Sequence, residues 1–290
     1  MLQALIPIVL TLSLAGLVFA VGLNSSRGDL VHLLHRPAQL TRAILAVIVI
    51  PPLAAGLLIA FTPLEPVVKA AIFVMAVSPV PPMVPGKELS AGARKEYAYG
   101  VYVAMALITV ISVPAALAIA SETFEHKLFL PLAALAKTVI GGVIFPLLLG
   151  WAVRRYAPAT ASRVWRLVYR ISMALVLLAF VPIAVKIWPA VMELIGNGAV
   201  VSMALISIIA LLGGHFLGGP DPRDRITLAI ASSVRHPGLA LAIAGASFRD
   251  PRVSAGILLF LLVGLIVGIP YLRWTKHNAA RVVTSPRTAN

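Results

Sequence analysis

Ser78-Pro79-Val80-Pro81-Pro82-Met83-Val84-Pro85-Gly86-Lys87 and Ser232-Ser233-Val234-Arg235-His236-Pro237-Gly238-Leu239 break two runs that are otherwise apolar enough to cross a lipid bilayer. Proline withholds an amide donor and its ring collides with the preceding turn, so a helix reaching either stretch must unwind and leave carbonyls and amides without helical partners. Backbone in that state survives at bilayer depth only against protein or beside a cavity. The two stretches therefore predict a protected crossing point inside a membrane protein.

The rest of the chain agrees with that solvent. Of its 290 residues 60% are hydrophobic and 12% charged, and the mean hydropathy is +0.99, so water could not solvate the surface. A hydrocarbon core of about 30 Å calls for roughly 20 apolar residues per helix. The apolar runs are continuous rather than alternating, which selects helices over a barrel. Pro, Gly and charge punctuate nine spans near 3–23, 40–61, 66–84, 98–120, 129–152, 164–187, 198–217, 225–246 and 253–273. The expected fold is all-α, within a single membrane domain over 1–275. The opening stretch has no basic leader and is long enough to span, so it is read as a first helix and not a cleaved signal. The polar stretch 276–290 is expected to be an irregular cytoplasmic tail.

Charge gives the orientation. The net charge of +14 is scattered over short connections and forms no single basic face, which excludes nucleic acid as a partner. With nine spans, 17 of the 24 Lys and Arg fall on one side, among them Arg94, Lys95, Arg154, Arg155, Arg166 and Arg170. By the positive-inside rule that side is cytoplasmic, which places the N-terminus outside, the C-terminus inside, and the protein in the plasma (inner) membrane as a multi-pass component. The broken spans are the third and the eighth, five apart, so they start from opposite sides. That is the pattern of an inverted repeat, spans 1–4 (about 3–120) against 6–9 (about 164–273), with 129–152 as connector. Such folds bind solute where the broken helices meet. The competing reading is that each break is a packing kink, since Pro and Gly are common in membrane helices.

Three further stretches give the chain a family likeness. Gly22-Leu23 is followed by Asp29-Leu30 and Arg36-Pro37; Ser78-Pro79 opens the first break; Arg235-His236-Pro237-Gly238-Leu239-Ala240-Leu241-Ala242 runs out of the second. In this order and spacing the chain resembles the bile acid:sodium symporter family, including its bacterial small-acid transporters, over nearly its full length. The resemblance implies a panel and a core group of helices, two crossing discontinuous helices, and transport of an organic anion, commonly driven by sodium. The departures bear on the ion. Val84-Pro85 stands where sodium-coupled members carry Ser-Asn, and Ala231 where they carry a sodium-binding glutamate. All ten carboxylates, including Asp29, Glu65, Glu88, Asp224 and Asp250, fall at span ends or in loops. Hard cations want oxygen ligands, so this pattern argues against sodium, the one cofactor the resemblance brings in.

The candidate substrate-binding residues are Ser78, Pro82, Pro85, Gly86, Ser232, Ser233, Arg235, His236, Pro237 and Gly238, with Lys87 and Glu88 as a possible gate. Arg235 carries the largest cost at bilayer depth and must face a cavity or a partner. It either receives a substrate carboxylate in place of a coupling cation or binds the freed carbonyls of the other break and holds the crossing together. His236 either titrates with transport or is a structural donor. The serine hydroxyls either meet substrate or bond their own backbone. Lys87 and Glu88 are equally a solvated helix end.

The chain has no cysteine, which excludes disulfides, thiol chemistry and a thiolate arsenite site. His32 and His35 lack a third ligand, so no metal site is expected. No nucleophile-base pair is visible, so an enzyme is not expected. The expected function is a secondary transporter of a small organic anion; a passive channel or membrane sensor on the same fold is the alternative.

Overall fold

The computed structural model describes residues 2–121 and 131–284, so the loop around Glu122, Glu125 and Lys127 and the chain end with Arg287 lie outside the described residues. Within them the chain is all-helical. The elements are α1 (Leu2–Asn24), α2 (Arg27–Val31), α3 (Pro37–Ile44), α4 (Ile50–Phe61), α5 (Pro66–Val77), α6 (Val84–Ser90), α7 (Lys95–Ala120), α8 (Leu132–Val139), α9 (Phe145–Tyr156), α10 (Pro158–Glu193), α11 (Ala199–Leu217), α12 (Pro222–Ser233), α13 (Pro237–Ser247) and α14 (Arg252–Thr284). A π-helical turn, Leu45–Val49, joins α3 to α4, and another, Ile140–Ile144, joins α8 to α9.

Seven helical stretches of the described residues are long and apolar enough to cross a membrane, or eight if α1 and the short helix after it, bent by 107°, count as one. The third expected span ends early. Pro79, Pro81 and Pro82 stop α5 at Val77, which leaves a helix of 12 residues. At the other extreme α10 has 36 residues and is roughly 54 Å long. The tail expected to be irregular instead prolongs α14 to Thr284, because a helix already nucleated in a span extends at little cost through Ala279, Ala280 and Val282.

The helices pack in two groups. α1 lies along α9 and α10, while α4, α5, α11, α12, α13 and α14 pack on one another and α7 joins them through α6 and α12. The first group is held by backbone proximity. A Cβ built on Gly22 would collide with the Leu147 carbonyl and the Gly150 Cα, and one on Gly150 with the Phe19 carbonyl and the Gly22 Cα. Two glycines face to face thus let α1 and α9 touch along their backbones, the close approach that small residues permit in lipid.

Ion pairs tie the ends of the second group. Arg94 meets Asp224 at 2.6 Å and Lys95 meets Asp29 at 3.4 Å, joining the starts of α7, α12 and α2. At the opposite end Arg252 binds Asp250 at 3.0 Å and Glu65 at 2.8 Å. Its hydrogen bonds hold the Asp250 carboxyl below the usual carboxylate range.

Candidate functional site

The two breaks meet at a cluster of carbonyls that prolines have freed. In an α-helix the carbonyl of residue i accepts from the amide of i+4, and in a π turn from i+5. For Val47 those residues are Pro51 and Pro52, so its carbonyl has no helical donor in either register. For Ser78 the 3-10 and α partners are Pro81 and Pro82, with the same result. Ser232 closes the last turn of α12, after which Val234 turns extended at φ −96° and ψ 119°. Arg235 satisfies all three. Its guanidinium donates to Val47 O at 2.9 Å, Ser78 O at 3.1 Å and Ser232 O at 2.7 Å, and the residue is 3% exposed. One cation therefore joins the first break, the second break and the π turn after α3.

Beside this cluster lies a cavity of about 260 Å³. Pro79, Val80 and Pro82 line it from the first break, and His236, Gly238, Leu239 and Ala242 from the second. The opposite wall is Leu10, Thr11, Leu14 and Ala15 of α1 with Thr138, Val139, Gly142 and Val143 of α8 and its π turn; Tyr102, Ala106 and Thr109 of α7 help complete the lining. The cavity thus runs between the two helix groups, and among the described residues no acidic side chain lines it. His236 Nδ1 accepts from the Leu239 amide at 3.3 Å, which caps α13 and leaves the ring proton on Nε2. The Tyr102 hydroxyl is buried and has no hydrogen-bond partner, in a residue that borders the cavity.

The expected site residues do not form one cluster. Pro82, His236 and Gly238 line the cavity, whereas Arg235 does not; its donors go to the three carbonyls. The serine hydroxyls bond backbone: Ser78 to Val74 O at 2.7 Å, Ser232 to Ala210 O at 2.6 Å, and Ser233 to Ala229 O at 2.8 Å. Pro85 is buried in the first turn of α6, and Pro237 opens α13. Gly86 lies against the Tyr169 ring, where a Cβ would collide with the hydroxyl. It borders a second cavity of about 370 Å³, shared with Tyr99, Trp165, Arg166, Tyr169 and Arg170. Lys87 is partly buried. Glu88 is not a solvated helix end: it is 1% exposed, and neither carboxylate oxygen has a hydrogen-bond partner.

Sequence reasoning missed Val47 and Tyr102. Each carried a signal: Pro51-Pro52 inside an apolar run, and three tyrosines, Tyr97, Tyr99 and Tyr102, within six residues of α7.

No curated protein matches the chain. Residues 11–194 match the family model described as the sodium bile acid symporter family, a stretch that runs from α1 through α10 and includes the first break. With well over half of its length covered by that match, this multi-pass, all-helical chain belongs to the sodium bile acid symporter family.

Proposed function

We propose that the chain is a secondary transporter that carries a small organic anion by alternating access, with the solute held in the 260 Å³ cavity between the two helix groups. The carrying observation is the position of that cavity: both breaks wall one side and α1 with α8 the other, so sliding one group past the other exposes it to either face. Ligand pockets usually measure about 300–1,000 Å³. A cavity of about 260 Å³, just below that range, suits a short carboxylate better than a steroid acid. The Nε2 proton of His236, the unpaired Tyr102 hydroxyl and the absence of acidic lining among the described residues give an anion donors and no repulsion.

In this reading α1 and the interrupted α5–α6 pair count as spans with the seven long helices, which makes nine. Spans 1–4 and 6–9 form the inverted repeat, their third members being the two discontinuous helices that cross at Arg235. The excess of Lys and Arg on one side supports an outside N-terminus and a plasma-membrane location.

Sodium does not fit this crossing. The oxygens that would have to coordinate it, those of Val47, Ser78 and Ser232, converge on a guanidinium, and Ala231 offers a methyl group. Arg235 is then a tethered cation that stabilises the crossing permanently.

The test is uptake of labelled carboxylates of two to six carbons into proteoliposomes, with and without a sodium gradient. Saturable, sodium-independent uptake with trans-stimulated exchange is the expected result. Unsaturable flux would make the protein a channel, and uptake that requires sodium would remove the tethered-cation reading. Tyr102→Phe should raise KM about tenfold with little change in maximal rate, since a hydrogen bond to a charged acceptor is worth about 1.5–3 kcal/mol. An unchanged KM would take Tyr102 out of the site.

A further inference from the structure

Glu88 is the one buried carboxylate of the described residues that nothing neutralises. The other two have cations: Asp224 meets Arg94 at 2.6 Å and Asp29 meets Lys95 at 3.4 Å. Both Glu88 oxygens are sealed from water and bonded to nothing. Holding an ionised carboxylate in that setting costs far more than holding the neutral acid, so the site takes a proton while it stays closed.

The surroundings offer no substitute counter-charge. α6 packs against α7 and α12. From α7 come the phenols of Tyr97, Tyr99 and Tyr102, with Lys95 and Glu96 at its start; from α12 come Arg223, Asp224 and Arg225. The cations among these are engaged elsewhere: Arg223 binds Asp221 at 3.1 Å, and Arg225 donates to Gly219 O at 2.6 Å. On α6 itself Lys87 precedes Glu88, and across the second cavity stand Arg166, Tyr169 and Arg170; none of them makes an ion pair or hydrogen bond with it.

α6 has one face toward a cavity and one sealed against its neighbours. Gly86, Leu89 and Ser90, on both sides of Glu88, already border the 370 Å³ cavity. On a helix of 3.6 residues per turn Glu88 points about 150° away from that face, so its carboxyl reaches water only when α6 comes away from α7 and α12. α6 also follows the first break directly in the chain, which links it covalently to Pro79, Val80 and Pro82 of the solute cavity.

We infer that Glu88 is a proton-binding site that keeps its proton while α6 is packed closed and exchanges it with water when α6 comes away from α7 and α12, so that each transported anion travels with one proton. This rests on the anion-transport reading. The balance is simple: the carboxyl O–H bond forms with a proton from one side of the membrane and breaks to release it on the other, and a monoanion with one proton moves no net charge.

The experiment has two arms. In proteoliposomes preloaded with a pH-sensitive dye and offered the same carboxylate panel, the wild type should acidify the lumen during uptake. An imposed gradient of one pH unit, acid outside, should then support up to about tenfold accumulation. Glu88→Gln, which mimics the protonated acid, should still exchange labelled for unlabelled solute but lose both the acidification and the response to the gradient, and Glu88→Asp should recover them in part. A Glu88→Gln protein that still follows the gradient, or a wild type that exchanges solute without moving protons, overturns the proposal.

The second arm needs no solute. Infrared difference spectra of wild type minus Glu88→Gln in lipid should show a protonated carboxyl stretch at neutral pH; an ionised carboxylate there overturns the proposal. If no carboxylate is transported by the wild type, the anion reading fails, and the infrared arm alone decides whether Glu88 holds a proton.

Discussion

Arg235→Ala is expected to abolish uptake and to lower the thermal stability of the purified protein. Two of the three carbonyls that its guanidinium satisfies, Val47 and Ser78, belong to other segments of the fold, 188 and 157 residues away in sequence. A hydrogen bond from a charged donor contributes about 1.5–3 kcal/mol, so losing these two disfavours the assembled crossing by about a hundredfold or more. The prolines prevent repair, since neither Val47 nor Ser78 has an amide in reach to take the place of the arginine. Arg235→Lys keeps the charge but gives up the planar fork, and should sit between wild type and alanine in melting temperature and in rate. A second substitution separates this account from a role in solute binding. Pro51→Ala returns an amide donor to Val47, so the pair Arg235→Ala with Pro51→Ala should melt above Arg235→Ala alone. If Arg235→Ala melts with the wild type and only its KM rises, the guanidinium serves solute and not the crossing.

Gly22→Val and Gly150→Val are expected to yield little folded protein, read as loss of the monodisperse peak in fluorescence-detected gel filtration. The atoms a Cβ would strike there are backbone of the facing helix, which no side-chain rearrangement can clear, so α1 and α9 must separate. Gly56→Ala is the internal contrast. A Cβ on Gly56 meets nothing within 4 Å, and replacing a helical glycine by alanine stabilises by about 0.5–1 kcal/mol. If the two valine variants fold as well as Gly56→Ala, the α1–α9 contact is not what holds this group together.

Much of the fold could be read from local chemistry. The first helix, expected over 3–23, is α1 at Leu2–Asn24, and that expected over 198–217 is α11 at Ala199–Leu217, since both are apolar runs closed by polar or glycine-rich turns. Both break positions were visible because proline acts on its own neighbours. What could not be read depends on segments far apart in sequence. Glu88 stands between Lys87 and Ser90 and reads as a wet helix end; only the packing of α7 and α12 over α6 buries it. Arg235 carried its cost openly, but its partners are main-chain oxygens, which have no signature except the prolines that free them. The long helices also outran their expected limits, because polar residues at bilayer ends stop an apolar run without stopping a helix. α10 was expected from 164 and begins at Pro158.

That helix has a mechanical consequence. A rod of roughly 54 Å in a hydrocarbon layer of about 30 Å must tilt or protrude, and α10 is packed against α1, one wall of the proposed solute cavity. Rotating such a rod by about 10° around its middle carries each tip through roughly 5 Å. Ala159 and Ser162, exposed near its first turn, are thus the pointer end of a lever, where a spin label would register the rocking of the whole helix group at magnified scale while leaving the cavity untouched.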